Sequence, residues 1–191
     1  MSAIDPDAHV PRGLTDSERS NYGCDVGFVG TLVPERLYSE RIAALEALRG
    51  LDLKIWSVHE VPPALATFHR GALLGEEMVR ATACARIVVN PHANFMRYGG
   101  NLRLFEACAA GALQITDERP GVRAWFTPGE HLVIYRDPVH LRELVVSFLR
   151  REPERLRIAA AGRDHVVAHH TYAHRMERLV ELVAAFRRGP G

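Results

Sequence analysis

Apolar positions along the chain follow two alternating rhythms. Short, nearly continuous apolar runs read as strands: "DVGFVG" (25–30), "LDLKIWSV" (51–58), "RIVVN" (86–90), "ALQIT" (112–116) and "HLVIY" (131–135). Longer stretches between them carry apolar residues at helical spacing. In "ERLYSERIAALEALRG" (35–50), Ile42, Leu45 and Leu48 recur on one face, and Gly50 stands where a helix-ending glycine would. Further helices are predicted over 75–85, 101–111, 137–151, 152–170 and 171–188. Pro62 and Pro63 break the segment 60–74, which has no clear period.

Strands that are apolar on both sides, alternating with helices of ten residues or more, predict a parallel sheet covered on both faces. The expected fold is therefore a Rossmann-like three-layer α/β domain with five or six strands. Residues 1–23 are polar and interrupted by Pro6, Pro11 and Gly13, so they predict an extended lead-in. Residues 24–191 form the single domain.

Composition narrows the function. The 191 residues are 47% hydrophobic and 25% charged, with a formal net charge of +1, so a nucleic-acid backbone or anionic membrane has no global field to attract it. An acidic ligand must be held locally. Three well-separated cysteines, Cys24, Cys84 and Cys108, fit a reducing compartment. No apolar run approaches a membrane span, and a cytoplasmic location is expected.

In an open parallel sheet, ligands bind beyond the C-terminal strand ends, where helix N-termini point. Four places qualify. After the first strand, "GFVGTLVPER" offers Gly30 for close backbone approach, with Thr31 and Arg36 as phosphate donors; its competing reading is an ordinary strand-to-helix turn. After the third, the long polar loop "NPHANFMRYGGN" brings His92, Asn94 and Arg97, then Gly99 and Gly100 as bare backbone at a helix start. Asn101 there also suits an N-cap. In the following helix Leu102, Phe105 and Ala109 share a buried face, with Arg103 and Glu106 on the remaining strip. That pair reads either as an i,i+3 ion pair or as a ribose site, since a carboxylate accepts two hydrogen bonds from a vicinal diol. Finally, Asp117 closes the fourth strand in "TDERPG", either as a ligand or as a turn-former.

Other chemistries find little support. His165/His169 and His170/His174 have the i,i+4 spacing of helical metal ligands, but a helix boundary near Thr171 splits them and no H-E-x-x-H glutamate accompanies them. There is no G-x-S-x-G elbow and no clear D-x-D, so neither a hydrolase triad nor a catalytic metal is indicated.

"DVGFVGTLVPER", "RIVVNPHAN" and the stretch from "NLRLFEACAAGALQITDERPG" to "HHTYAHRMERLVELV" together resemble the C-terminal half of a bacterial GT-B-fold glycosyltransferase of the group-1-like, spore-maturation type. The resemblance runs from about Ala3 to the end. It implies a nucleotide-diphosphate-sugar donor as substrate, with no further cofactor. By similarity Glu106 contacts the ribose, Gly30, Thr31 and Arg36 lie by the diphosphate, and His92, Asn94, Asn101 and Arg103 line the same crevice. Retaining members carry a second glutamate eight residues earlier, where this chain has Tyr98; the catalytic residue and the stereochemical outcome are therefore unassigned. The lead-in resembles an interdomain linker, so transfer is expected to need an N-terminal acceptor-domain chain or a homo-oligomer. Two alternatives stand beside this reading: a non-catalytic nucleotide-binding or assembly module of the same descent, and a response-regulator-like domain, which lacks its acidic cluster after strand one.

Overall fold

The computed structural model describes residues 2–187. Five strands form one parallel sheet: β1 (Cys24–Val29), β2 (Leu53–Trp56), β3 (Ala85–Asn90), β4 (Leu113–Asp117) and β5 (Val133–Tyr135). Their spatial order is β2-β1-β3-β4-β5. The register sets Val26 beside Ile87 and Ile87 beside Leu113, and in the next row Val89 beside Ile115 and Ile115 beside Val133, so two rows of branched side chains line one face of the sheet. This is the Rossmann-like architecture that the apolar runs predict.

The covering helices divide between the faces. On one side α3 (Glu35–Glu46) and α7 (Pro138–Arg150) close over Val26, Phe28, Ile87, Val89, Leu113 and Ile115. On the other, α4 (Gly75–Cys84), α5 (Leu102–Ala109) and α8 (Glu152–His169) cover the alternate residues, with Val88, Ala107 and Ala112 in contact there. The proline-broken segment becomes a 3-10 turn, Pro63–Phe68. The last helix, α9 (Tyr172–Arg187), buries none of its residues; Arg188, where the pattern was expected to end, lies outside the described residues.

Two expectations are corrected and one helix is added. Residues 1–23 are not extended but carry α1 (Pro6–His9) and α2 (Asp16–Tyr22). Both have strong start signals: Asp5 caps α1 ahead of Pro6, and Thr15 with Glu18 forms a capping box. Glu18 also binds Arg80 of α4 through both carboxylate oxygens. Residues 120–125, to which the apolar pattern assigns no element, form α6 (Pro120–Trp125), again with proline in the first turn. Lastly, α5 buries Phe105 and Ala109 as expected, but Leu102 on the same face is 38% exposed while Glu106 is only 6% exposed. The cause is α1, which packs on α5 and covers the strip that periodicity alone assigned to solvent.

Candidate functional site

The chain leaves β1 for β2 on one side and reaches β3 on the other, so β1 and β3 part at their C-terminal ends. That is the topological switch point, where this fold class places ligands. A cavity of about 820 Å³ opens above it, walled by α1 and Val10–Arg12, by Leu74 to Val79 at the start of α4, and by Leu102, Arg103 and Glu106 of α5. A narrow cleft shares Met78, Val79, Arg103 and Glu106 with it and leads down to Val29 and Asn90 at the strand ends. The volume is that of a nucleotide-sized site.

Glu106 is the one buried carboxylate facing this space among the described residues. Arg103, one turn earlier, is paired with its Oε2. His9 of α1 approaches its Oε1 at 3.4 Å, and His9 itself is tied to the Asp5 backbone at 3.0 Å. A carboxylate has about four acceptor positions, so two hydroxyls can still reach it. Apolar flanks from Leu74, Met78 and Val79 suit a flat ring.

The predicted residues of the β3–α5 loop form a second group that locks the loops. Asn90 and Asn101 exchange two amide hydrogen bonds of 3.0 and 2.9 Å, and Asn101 caps α5 by accepting from the Leu104 N–H at 2.9 Å. His92 is fully buried; its Nδ1 lies 2.6 Å from Asp117 Oδ1, which also accepts the His92 backbone N–H. Because the Gly100 N–H donates to His92 Nε2 at 3.2 Å, the ring carries its proton on Nδ1. Asp117 continues to Arg119, and Arg119 to Glu40 of α3, at 2.7 Å each. Burial by itself would raise the Asp117 carboxyl, but the His92 hydrogen bonds and the Arg119 charge outweigh it and hold it below the usual carboxylate range.

Gly99 and Gly100 both have positive φ, +89° and +86°. Their N–H groups are engaged, Gly99 with the Met96 carbonyl and Gly100 with His92. A Cβ on Gly100 would lie 2.3 Å from the Trp125 ring, so the close approach here is made by α6. Asn94 binds Ser39 Oγ at 2.8 Å and accepts from the Glu40 N–H, anchoring the kinked start of α3. Gly30 and Thr31 lie on the turn after β1, and Arg36 is exposed on the first turn of α3. Of the residues named from sequence, Arg103 and Glu106 thus share the cavity. His9, Leu74, Met78 and Val79 line it without having been foreseen.

Four histidines, His131, His165, His169 and His170, gather behind Trp125; His165 Nε2 lies 2.7 Å from the Trp125 carbonyl, and His131 stacks on His165 at 4.0 Å. Among the described residues no group of three or more His, Cys, Asp or Glu is arranged to hold a metal ion. Nor is any described helix long and apolar enough to cross a membrane.

A family model described as glycosyl transferase-like matches residues 39–181, three quarters of the chain. The chain belongs to this glycosyl transferase-like family. No curated protein matches it by sequence. Among solved structures, HepE from Anabaena, in complex with UDP-glucose, is 11% identical with a TM-score of 0.75; the match covers 96% of this chain and 56% of that one. Sucrose-phosphate synthase from Thermosynechococcus elongatus is 16% identical, with a TM-score of 0.71 over 96% of this chain and 52% of that one. The C-terminal domain of a glycosyl transferase group 1 family protein (LpcC) from Francisella tularensis is 14% identical, with a TM-score of 0.63, 87% of this chain and 97% of that one. At these identities the likeness is one of fold. The glycosyl transferase-like chain spans a little over half the length of HepE and of sucrose-phosphate synthase.

Proposed function

We propose that this chain is the donor-binding half of a glycosyltransferase of the GT-B type, holding a nucleotide-diphosphate sugar as substrate. The observation that carries the reading is Glu106, a buried carboxylate facing an 820 Å³ cavity beside the β1/β3 switch point. The nucleoside occupies the cavity between Leu74, Met78 and Val79, and its ribose diol donates to Glu106. The diphosphate runs along the Gly30–Thr31 turn toward the start of α5. Neither metal nor cofactor has a role in this reading. HepE, which shares the fold, was crystallised with UDP-glucose, which makes a uridine nucleotide the first probe.

Transfer also needs an acceptor surface, supplied by another chain or a second copy. The exposed apolar residues of α9, Met176, Leu179, Val180, Val183 and Phe186, offer a face for such a partner. The free cysteines Cys24, Cys84 and Cys108 fit action in the cytoplasm.

Calorimetric titration with uridine, guanosine, thymidine and cytidine diphosphates tests the reading. One of the four binds, and Glu106→Gln weakens it about tenfold, the loss of a charged hydrogen-bond acceptor. Absence of binding by all four would sink the proposal; full affinity in Glu106→Gln would remove its ribose role. A non-catalytic module is the second reading, favoured by the engagement of Glu106 with Arg103 and His9. It predicts nucleotide binding without turnover even when acceptor-domain chains are added.

A further inference from the structure

Two arginines of the described chain are almost wholly buried, and they are treated very differently. Arg155 is 4% exposed and pairs with Glu152 at 2.8 Å. Arg41, on α3, is 7% exposed and has no carboxylate partner among the described residues. Its Nε donates to the Pro91 carbonyl and its Nη1 to the Thr31 carbonyl, each at 2.8 Å, while Nη2 has no acceptor among the described residues. The guanidinium rests over the Phe28 and Tyr38 rings, 5.5 and 5.0 Å from their centroids. Buried charges are ordinarily paired, because desolvation without an opposite charge is costly.

Its location matters as much as its isolation. Thr31 follows β1 and Pro91 follows β3, so the guanidinium bridges the two loops that part at the switch point. A Cβ placed on Gly30 would come within 3.5 Å of Nη1, which puts the charge directly beside that turn. The other cations near the crevice are compensated or solvated. Arg103 is paired with Glu106, Arg119 with Asp117 and Glu40, and Arg36 and Arg97 are exposed.

We propose that Arg41 is the cation that receives the donor's diphosphate, and that the diphosphate is the counter-ion the fold withholds from it. The inference rests on the nucleotide-sugar reading above. Arg41 is held by two carbonyls before the ligand arrives, so little rotamer entropy is lost on binding. It remains charged: burial draws the guanidinium below its ordinary value, the Asp117 charge opposes that shift, and arginine does not give up its proton inside proteins. The neutral nucleoside would not sense this charge, whereas each phosphate would.

The test compares uridine diphosphate, uridine and inorganic pyrophosphate on the wild-type chain, Arg41→Met and Arg41→Lys, with thermal melts to establish folding. Arg41→Met is expected to weaken uridine diphosphate about 30-fold while uridine changes less than twofold. Arg41→Lys keeps the charge and retains the diphosphate-to-nucleoside ratio within about threefold; if the methionine variant does not fold, Arg41→Gln, neutral but still able to donate to a loop carbonyl, takes its place with the same selective loss of uridine diphosphate expected. A merely structural clamp would lower both affinities in the same ratio in either variant, overturning the proposal while leaving nucleotide binding intact. Pyrophosphate that binds the wild type without the nucleotide would overturn the nucleotide reading, and it would uphold Arg41 if the methionine variant loses it and overturn Arg41 if that variant keeps it. Binding of neither overturns both.

Discussion

Gly100→Ala separates two explanations of the glycines before α5: room for a ligand, or room for Trp125. The structure assigns two costs to the new methyl group. Gly100 sits at φ +86°, in the left-handed region, where an L-residue is disfavoured by about 1 kcal/mol. The added Cβ would also stand 2.3 and 2.5 Å from Trp125 Cζ3 and Cη2. Trp125 is wedged against Phe105 and Tyr98, at centroid distances of 5.7 Å for each, so the ring cannot swing freely and the overlap costs about 2 kcal/mol. Gly50 is the internal control, since it has the same φ of +86° and nothing within 4 Å of a built Cβ. Urea denaturation should show Gly100→Ala losing about 3 kcal/mol and Gly50→Ala about 1. In a chain this long the corresponding fall in Tm is roughly 9 °C against 3 °C. Combining Gly100→Ala with Trp125→Ala should recover about 2 kcal/mol as a coupling energy, because the truncated ring leaves only the backbone term. Equal losses at Gly100 and Gly50 would refute the packing argument. So would a Gly100→Ala chain of normal stability that has lost its nucleotide.

Two further outcomes follow from the polar network and the histidines. Asp117→Asn should cost about 2 kcal/mol by removing the charge shared by His92 and Arg119. The wild-type carboxyl is held below the usual range, so its stabilisation is present above that range and is lost as pH falls through the lowered value; a urea series should find the variant flatter there. His170 is pushed down to about 4 by burial, by Arg175 and by His165. The unfolded chain, titrating near 6.5, therefore takes up the proton first, and stability falls as pH drops from about 6.5 toward 4. Allowing for solvent screening the loss is about 2 kcal/mol, which His170→Gln should remove from the Tm-against-pH curve; an unchanged slope would contradict it.

The sheet was legible because parallel strands buried on both faces leave near-continuous apolar runs: β1 and β3 start one residue before the runs that predicted them, and β4 one residue after. The helix cap at Asn101 was a local signal and survives in the structure. What could not be read is which distant element covers a given helix face. Periodicity left Glu106 on the strip outside the apolar face; α1, almost a hundred residues earlier, packs there and sets His9 against it. The glycine pair was visible, but the aromatic ring that demands it comes from α6, itself hidden behind an acidic and proline-containing stretch that reads as a turn. His9 and Met78 reach the cavity only through tertiary packing, and no spacing rule links them to Glu106.

The same packing explains why Arg41 escaped notice. On sequence it is one charged residue in an amphipathic helix, between Ile42 on the core face and Glu40 outside, and such residues are usually solvated. The kink at Tyr38, where φ is −130° and ψ 16°, turns the following residues so that Arg41 runs inward beneath the switch point. Asn94 holds that kink by binding Ser39 and Glu40, and His92, Asp117 and Arg119 fix the loops on either side. The buried polar residues around the β3–α5 loop therefore act on the proposed ligand through geometry: they hold two loops and one guanidinium in place before binding. Changes in this network should weaken nucleotide and nucleoside together, whereas a change at Arg41 should discriminate between them by charge. That difference in selectivity, not the size of any single loss, distinguishes the scaffold of the site from the group that meets the phosphate.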